Sequence, residues 1–297
     1  MLAWLAGELG RPDELAEWTA AADKTKAAVQ ARMWDAEAAW FCDLHPASGG
    51  RSPARPATGF YPFLDDLAGP EHLTALARHL LNPAAFWTPY PVPSTARDDP
   101  AFSATGEWKG KRHVCPWNGR SWLMVDSHVC QALARAAQTL DPDLRPQAAE
   151  LIRRCLVMTF LDGDPTRPTS YEYFNPLTGQ PPFFRGTDDY MHSWLADLIL
   201  QFVAGLQPAL PSTGLKPGTG RGGAGGEVGR IVVDPLPFGL AHFTIEDARV
   251  AGHRLDLSWR AGQGLRLFAD GRLVVHSDGI ERLECSPGQT SKVSENL

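Results

Sequence analysis

PWNGRSWLMVDSHVCQALARAAQTL, residues 116–140, decides the fold class of this chain. A turn permitted by Gly119 gives way at Trp122 to apolar residues three and four apart: Trp122, Val125, Val129, Leu133, Ala136 and Leu140. That spacing is the inner stripe of a helix with one buried face. A polar, aromatic turn set on the end of such a helix is the arrangement in which rigid scaffolds present binding residues.

Working outward, a second helix is expected from about Pro146 to Phe160, and the last strong one from about Asp188 to Leu206. Thr187 or Asp188 is a fitting N-cap for it. At the other end of the chain, Leu2, Leu5 and Leu9 share a helical face that Gly10 closes. Pro12 and Asp13 then open a further helix striped with Leu15, Trp18, Ala22, Thr25, Val29 and Met33. The short link between the two predicts an antiparallel helical hairpin. No lead-in or cap precedes the first helix, as in an interior segment of a longer protein. Trp34 to Pro46 switches to short aromatic alternation, a brief strand or extended crossing, and residues 47–58 form a polar, turn-rich loop. A helix is expected from Pro70 to Leu81, followed by a long Pro-rich loop bearing Phe86, Trp87, Tyr90, Arg97, Asp98 and Asp99. Helices thus come in pairs, and the loops at one end hold the aromatics and carboxylates.

The rest of the chain reads differently. Residues 208–227 are rich in Pro, Gly and Ser and poor in apolar side chains, a flexible connector. Residues 228–285 alternate apolar and polar positions in short runs, RIVVD, HFTIEDARV, RLDLSW, LRLFAD and RLVVHS, which predicts a small antiparallel β module. Asp270-Gly271 is its expected hairpin turn. The tail, 286–297, is polar and expected to fray. The domains are therefore 1–207, a linker at 208–227, and a β domain at 228–285.

Composition narrows the partner. A formal charge of -6 without a basic cluster argues against nucleic acid, whose binders need a positive face. Ten tryptophans supply flat amphipathic planes suited to stacking on sugar rings. Cys42, Cys115, Cys130, Cys155 and Cys285 are widely spaced in mostly apolar patterns and read as reduced core thiols. The histidines show no metal-ligand spacing, so no metal and no cofactor is expected. Gly-rich residues 218–226 lack the Lys-Ser/Thr context of a phosphate loop. No apolar run is long enough to span a bilayer, and no secretory signal opens the chain. A cytoplasmic location is the expectation, to the extent that the true N-terminus is present; the oligomeric state is not legible.

The chemistry concentrates between Pro168 and Trp194. Glu172 sits between Tyr171 and Tyr173 in a loop dense in aromatic groups. A glycosidase needs one carboxylic acid to protonate the leaving oxygen and one carboxylate to attack or to activate water, with sugar-facing aromatics alongside. Glu172 fits the carboxylate, although an arbitrary loop glutamate is more often solvated. Asp188 and Asp189 read as helix cap and first-turn charge, while His192 and Trp194 face either pocket or core. In the Trp117-Asn118-Gly119-Arg120 turn, Trp117 offers a stacking plane and Arg120 a rigid fork for hydroxyls or a carboxylate. A plain tight turn with a packed Trp explains it equally well. Trp87 and Tyr90 form a Pro-rich aromatic rim that either closes a pocket or is structural.

Three ordered motifs, FWTPYPVPSTARDDPAF at 86–102, PWNGRSWLMVDSHV at 116–129, and SYEYFNPLTG at 170–179 followed by DDYMHSWLADLIL at 188–200, resemble the second half of glycosidases of the family 63 type. These are the mannosylglycerate or glucosylglycerate hydrolase-like enzymes, related to trehalases and processing α-glucosidases. The resemblance covers about residues 1–207. It implies a mainly α fold, roughly the second half of an (α/α)6 barrel, with the β module resembling a C-terminal domain appended to some members. It further implies inverting hydrolysis of an α-linked carbohydrate, Glu172 as general base, and the Trp117–Arg120 turn lining the sugar subsite. Family members place the general-acid Asp in a Trp/Met-Asp-Asn-Ser-Pro-like motif before the helix pair with which this chain begins. No such motif is present, so the acid is expected upstream of residue 1, and this polypeptide is not expected to turn over alone. Two other readings stay open. One is a non-catalytic carbohydrate-binding or scaffold protein that keeps the aromatic pocket. The other is a toroid-type polysaccharide lyase with Tyr171 or Tyr173 as base and Arg120 neutralising a uronate.

Overall fold

The computed structural model describes residues 2–65, 67–113, 116–182, 190, 191, 193–208, 231–250 and 252–285. Their contacts divide the chain into two units, Met1–Leu195 and Ala196–Leu297.

The first unit is built of helices with small antiparallel ladders between them. Helix α1 (Leu2–Glu8) ends in backbone hydrogen bonds from Gly10 and Arg11 back to Gly7 and Ala6. Helix α2 (Pro12–Ala28) begins with Pro at its first position and Asp13 and Glu14 in its first turn, where the helix dipole favours carboxylates. The chain then passes through a single π-helical turn, Val29–Met33. The predicted hairpin of α1 against α2 forms, but not the burial that its stripes imply. No residue of α2 is buried, and Leu2, Leu5 and Leu9 are 52%, 41% and 65% exposed. Periodicity marks a face; it does not supply what covers that face.

Strands β1 (Trp34–Asp35) and β2 (Trp40–Phe41) make the brief extended crossing expected after α2, pairing Trp34 with Phe41 and Asp35 with Trp40. A 3-10 segment, Ala57–Leu64, follows, and the expected helix from Pro70 is an irregular one, 3-10 at Pro70–His72 and π-helical at Leu76–Leu80. A short ladder joins β3 (Glu107–Trp108) to β4 (Lys111–Arg112). Helix α3 (Leu123–Thr139) is the centre of the unit. It buries Val125, Val129, Leu133 and Ala136, packing against Ala57–Leu64 on one side and helix α4 (Arg145–Met158) on the other. Each large apolar side chain so buried contributes about 1.5–3 kcal/mol. Around this axis sit Trp40, Phe60 and Phe86: Trp40 meets Phe60 edge to face at 4.9 Å and stacks on Phe86 at 5.6 Å. The chain before α3 forms strand β5 (Ser121–Trp122), which pairs antiparallel with β6 (Tyr173–Phe174).

Cys42, Cys130, Cys155 and Cys285 are free thiols and buried, with Cys130 and Cys155 Sγ atoms 3.6 Å apart between α3 and α4; Cys115 lies outside the described residues. Among the described residues no helix is long and apolar enough to cross a membrane. The last helix is described from Trp194, as α5 (Trp194–Leu198) running into a π-turn at Ile199–Val203; the expected cap at Thr187 or Asp188 lies outside the described residues.

The second unit holds the β module. Strands β9 (His242–Val250), β10 (His253–Arg260), β11 (Gly264–Ala269) and β12 (Arg272–Ser277) form an antiparallel meander in that order, matching the alternating runs. Asp270 and Gly271 both have positive φ, 50° and 80°, between paired Ala269 and Arg272. That is the primed two-residue turn the dipeptide predicts. A second sheet is ordered β13 (Leu283–Cys285), β8 (Ile231–Val233), β7 (Leu206–Pro208). Leu255, Leu257, Leu265, Leu267, Ile231 and Val233 fill the core of this unit. Contacts thus divide the chain after Leu195, whereas composition divides it after 207, because Leu206 and Gln207 pair with Val233 and Val232 rather than starting a connector. The connector beyond Pro208 and the tail from 286 lie outside the described residues.

Candidate functional site

Two segments far apart in sequence meet at the β5–β6 ladder, where Ser121 faces Phe174 and Trp122 faces Tyr173. This register brings the Trp117–Arg120 turn and the Tyr171–Phe174 segment side by side, with Glu172 one residue before the ladder. Trp117 stacks on Trp122 with ring centroids 4.1 Å apart and planes within 5°. Trp122 in turn lies 4.5 Å from Tyr173. The stack therefore runs from surface to core, because Trp117 is 45% exposed while Trp122 and Tyr173 are buried. The Arg120 guanidinium carbon sits 5.7 Å from the Tyr173 ring centre and is itself buried. Tyr171 meets Phe174 edge-on at 6.2 Å.

The turn is held from behind by two loops. Ser94 N–H donates to the Arg120 carbonyl at 2.8 Å, and Gly119 N–H donates to Ser94 Oγ at 3.0 Å. The Thr95 hydroxyl donates to the Trp117 carbonyl at 3.2 Å, and Trp122 Nε1 to the Pro116 carbonyl at 3.0 Å. Asn118 Nδ2 donates to the carbonyls of Ala101 and Glu107 at 3.0 and 2.8 Å, which commits its amide to the scaffold. Gly119 has φ 143°, and a Cβ there would lie 2.7 Å from the Ser103 carbonyl oxygen, so only glycine fits. Asn118 and Gly119 thus build the turn that presents Trp117.

Of the aromatic rim, Tyr90 belongs to this neighbourhood. Its N–H donates to the Pro176 carbonyl at 3.0 Å, and its ring packs on Gly179 in the turn following Glu172. That turn is closed by Asn175 Oδ1, which accepts from Leu177 and Thr178 N–H. Trp87 is engaged elsewhere: the Arg154 guanidinium of α4 lies 5.1 Å from its ring centre, and Arg154 is paired with Glu150 at 2.6 Å.

Trp194, 47% exposed, stacks on His128 of α3 at 4.7 Å. His128 Nδ1 is 2.8 Å from the Tyr61 hydroxyl. Burial lowers the His128 pKa, which favours the neutral ring, and pushes the Tyr61 phenol up to about 12 with the Asp126 charge as a second cause. His192 lies outside the described residues.

Sequence reasoning passed over Asp126, which is fully buried on α3. Its Oδ2 accepts from the Ser121 hydroxyl at 2.7 Å and its Oδ1 from Val92 N–H at 3.1 Å. Burial raises its carboxyl pKa well above the usual carboxylate range, against the pull of those two hydrogen bonds. The available signal was an acid beside Val125 and Val129 within an apolar stripe. Among the described residues no group of three or more His, Cys, Asp or Glu side chains is placed to hold a metal ion.

Residues 1–193 match the family model described as the mannosylglycerate hydrolase MGH1-like glycoside hydrolase domain. A curated mannosylglycerate hydrolase of Rubrobacter radiotolerans is 28% identical over 203 residues, which are 68% of this chain and 40% of that protein. The chain therefore spans less than half the length of that relative. Among solved structures, a chain described as a sialidase has a TM-score of 0.79 at 20% identity, covering 97% of this chain and 25% of its own, a likeness of fold alone. The family 63 mannosylglycerate hydrolase of Thermus thermophilus in complex with glucose has a TM-score of 0.49 at 24% identity, over 67% of this chain and 43% of that one.

Proposed function

This chain belongs to the mannosylglycerate hydrolase MGH1-like glycoside hydrolase family, and on that premise we propose that it forms part of an inverting hydrolase of α-linked sugars, with Glu172 as the general base. The observation that carries the reading is the β5–β6 register, which sets Glu172 beside an aromatic stack whose outer ring, Trp117, is open to solvent. In this role Glu172 takes a proton from a water that attacks the anomeric carbon, and Trp117 provides the plane on which the sugar rests. Tyr171, Tyr90 and Trp194 are proposed to border the subsite, and His192 with them. Arg120 and Tyr173, being buried, are assigned to the support of that surface, as are Asn118 and Gly119. Trp87 is proposed as an outer rim group fixed by Arg154.

Inversion needs a second carboxyl about 6.5–9.5 Å from the first, leaving room for the water. We place that general acid in a part of the enzyme outside the region aligned with the relatives, and we place residues 1–207 as roughly the second half of an (α/α)6 barrel, joined through 208–227 to the β module. Mannosylglycerate, the substrate that the Rubrobacter relative's name carries, is the first compound to assay. The test joins the portion of that relative preceding the aligned region to this chain and follows hydrolysis by proton NMR. The expected first product is the β-anomer, and Glu172→Gln lowers kcat by roughly 100-fold or more. Unchanged turnover in Glu172→Gln, or release of the α-anomer first, overturns the assignment. Calorimetry of sugar binding to the chain alone, retained in Glu172→Gln and weakened in Trp117→Ala, tests the subsite without relying on the fusion.

A further inference from the structure

Among the described residues the exposed tryptophans are Trp4, Trp18, Trp117 and Trp194. Trp4 and Trp18, on the α1–α2 hairpin, stack on no other ring. Trp194 shares the construction of Trp117: an exposed indole lies on a second ring, which is itself hydrogen-bonded to the scaffold behind it. For Trp194 that second ring is the His128 imidazole, with centroids 4.7 Å apart and planes 30° from parallel.

The imidazole is fixed from its far side. His128 lies on α3 next to the buried Val129, and Tyr61 lies between Phe60 and Phe63, both buried, in the segment that packs on α3. The His128 and Tyr61 rings meet edge to face at 5.2 Å, and His128 Nδ1 is 2.8 Å from the Tyr61 hydroxyl. Burial favours the neutral imidazole and the protonated phenol, and the Asp126 carboxyl on α3 adds to the second effect. The hydroxyl therefore donates and Nδ1 accepts, which leaves the ring proton on Nε2. Each contact fixes the next, from the core through Tyr61 and His128 to the exposed indole.

A sugar gains most from a tryptophan plane that is already in place, because ordering a free side chain on binding costs affinity. Trp194 opens α5, where Leu195 is buried and the indole is 47% exposed. The core thus holds the helix, and the imidazole holds the ring.

We propose that His128 is a positioning residue for the sugar subsite, holding Trp194 in a fixed plane by stacking, with Tyr61 locking the imidazole. The proposal rests on the reading that Trp194 borders that subsite, and it adds two residues that act through Trp194. The test uses the full chain and two measurements. The first needs no sugar: a protonated imidazole in contact with an indole quenches its fluorescence, so Trp194 emission should fall as His128 is protonated, with a midpoint below the usual histidine value of about 6.5. Trp34 also meets His72 and Trp40 meets His79. The step belonging to Trp194 is the one that Trp194→Phe and His128→Phe both abolish, and absence of such a shared step overturns the proposal.

The second measurement is calorimetric titration with methyl α-mannoside. Trp194→Ala is expected to weaken binding about tenfold and His128→Gln, which keeps an acceptor for Tyr61 but not the plane, by nearly as much. His128→Phe keeps the plane and should stay within about twofold of the parent. In the Trp194→Ala background His128→Gln should have no further effect, because a residue that acts through another is silent once that other is gone. Parent affinity in His128→Gln, a loss in His128→Phe as large as in His128→Gln, or an undiminished loss in the Trp194→Ala background overturns the proposal. Trp117→Ala separates this failure from that of the wider reading. If it weakens binding while Trp194→Ala does not, the sugar subsite stands and the role of His128 falls; if neither weakens binding, the subsite falls and this proposal with it.

Discussion

The Ser121 hydroxyl donates to Asp126 Oδ2 at 2.7 Å, so a side chain of α3 anchors the strand that carries the aromatic turn. The other oxygen of the same carboxyl accepts Val92 N–H, from the loop that supports that turn through Ser94. One buried group thereby links three segments: helix, strand and loop. Asp126→Ala leaves the Ser121 and Val92 donors without their partner and is expected to cost about 1–3 kcal/mol for each group orphaned. Asp126→Asn keeps an acceptor and should cost less. Urea denaturation of both variants checks the ranking, and an Ala variant as stable as the parent would show that the link does not matter.

The same carboxyl sets a direction for stability against pH. Its folded pKa is raised well above the unfolded value, with burial as the largest cause. Between those two values the native state binds the proton that the unfolded chain has released, so stability declines as pH rises. The contribution is complete below the unfolded pKa of about 4 and is lost as pH climbs through the folded pKa. Asp126→Asn removes this slope. Denaturant midpoints of parent and variant, measured at intervals upward from about pH 4, should diverge, the parent falling relative to Asp126→Asn; parallel curves exclude a raised folded pKa.

What was legible in the sequence depended on whether the relevant interaction is local. The stripe from Val125 to Ala136 was readable because helix periodicity reports the buried face, and Asp270-Gly271 because few residue pairs accept positive φ at two successive positions. The pairing of Trp122 with Tyr173 and the capture of Trp87 by Arg154 join residues 51 and 67 positions apart, and no local pattern encodes either one. Asp126 was passed over for a related reason. An acid in the first turn of a helix ordinarily serves the dipole, and its burial follows only from how α3, β5 and the loop around Val92 pack.

The hairpin of α1 and α2 shows the limit of periodicity most plainly, and it makes a prediction about the chain by itself. Leu5 and Leu9 are 41% and 65% exposed, whereas Leu133 is 0% exposed. Polar replacements at the first two, Leu5→Ser and Leu9→Ser, should therefore change stability by no more than about 0.5 kcal/mol. Leu133→Ala removes a fully packed side chain and should cost about 2–5 kcal/mol. Thermal and urea unfolding of the chain alone distinguish the two classes. Large losses at Leu5 and Leu9 would mean that the hairpin face is covered in solution.

The Trp117–Trp122 stack separates binding from stability within a single pair of rings. The two indoles lie 4.1 Å apart and nearly parallel, but Trp122 is 1% exposed and donates to the Pro116 carbonyl, while Trp117 is 45% exposed. Trp122→Ala opens a cavity beneath the turn and orphans that carbonyl, so a loss of about 3–5 kcal/mol is expected, with sugar affinity lost as the platform collapses. Trp117→Ala removes chiefly a solvent-facing plane. Its stability cost should be far smaller, near the roughly 0.5–1.5 kcal/mol of an aromatic pair, while sugar affinity falls about tenfold. Trp117→Phe retains an apolar plane and should recover part of that affinity. Calorimetric titration with monosaccharides and disaccharides, run beside urea unfolding on the three variants, reads both quantities. If Trp117→Ala proves as destabilising as Trp122→Ala, or leaves sugar binding unchanged, the exposed ring belongs to the scaffold and the sugar rests elsewhere.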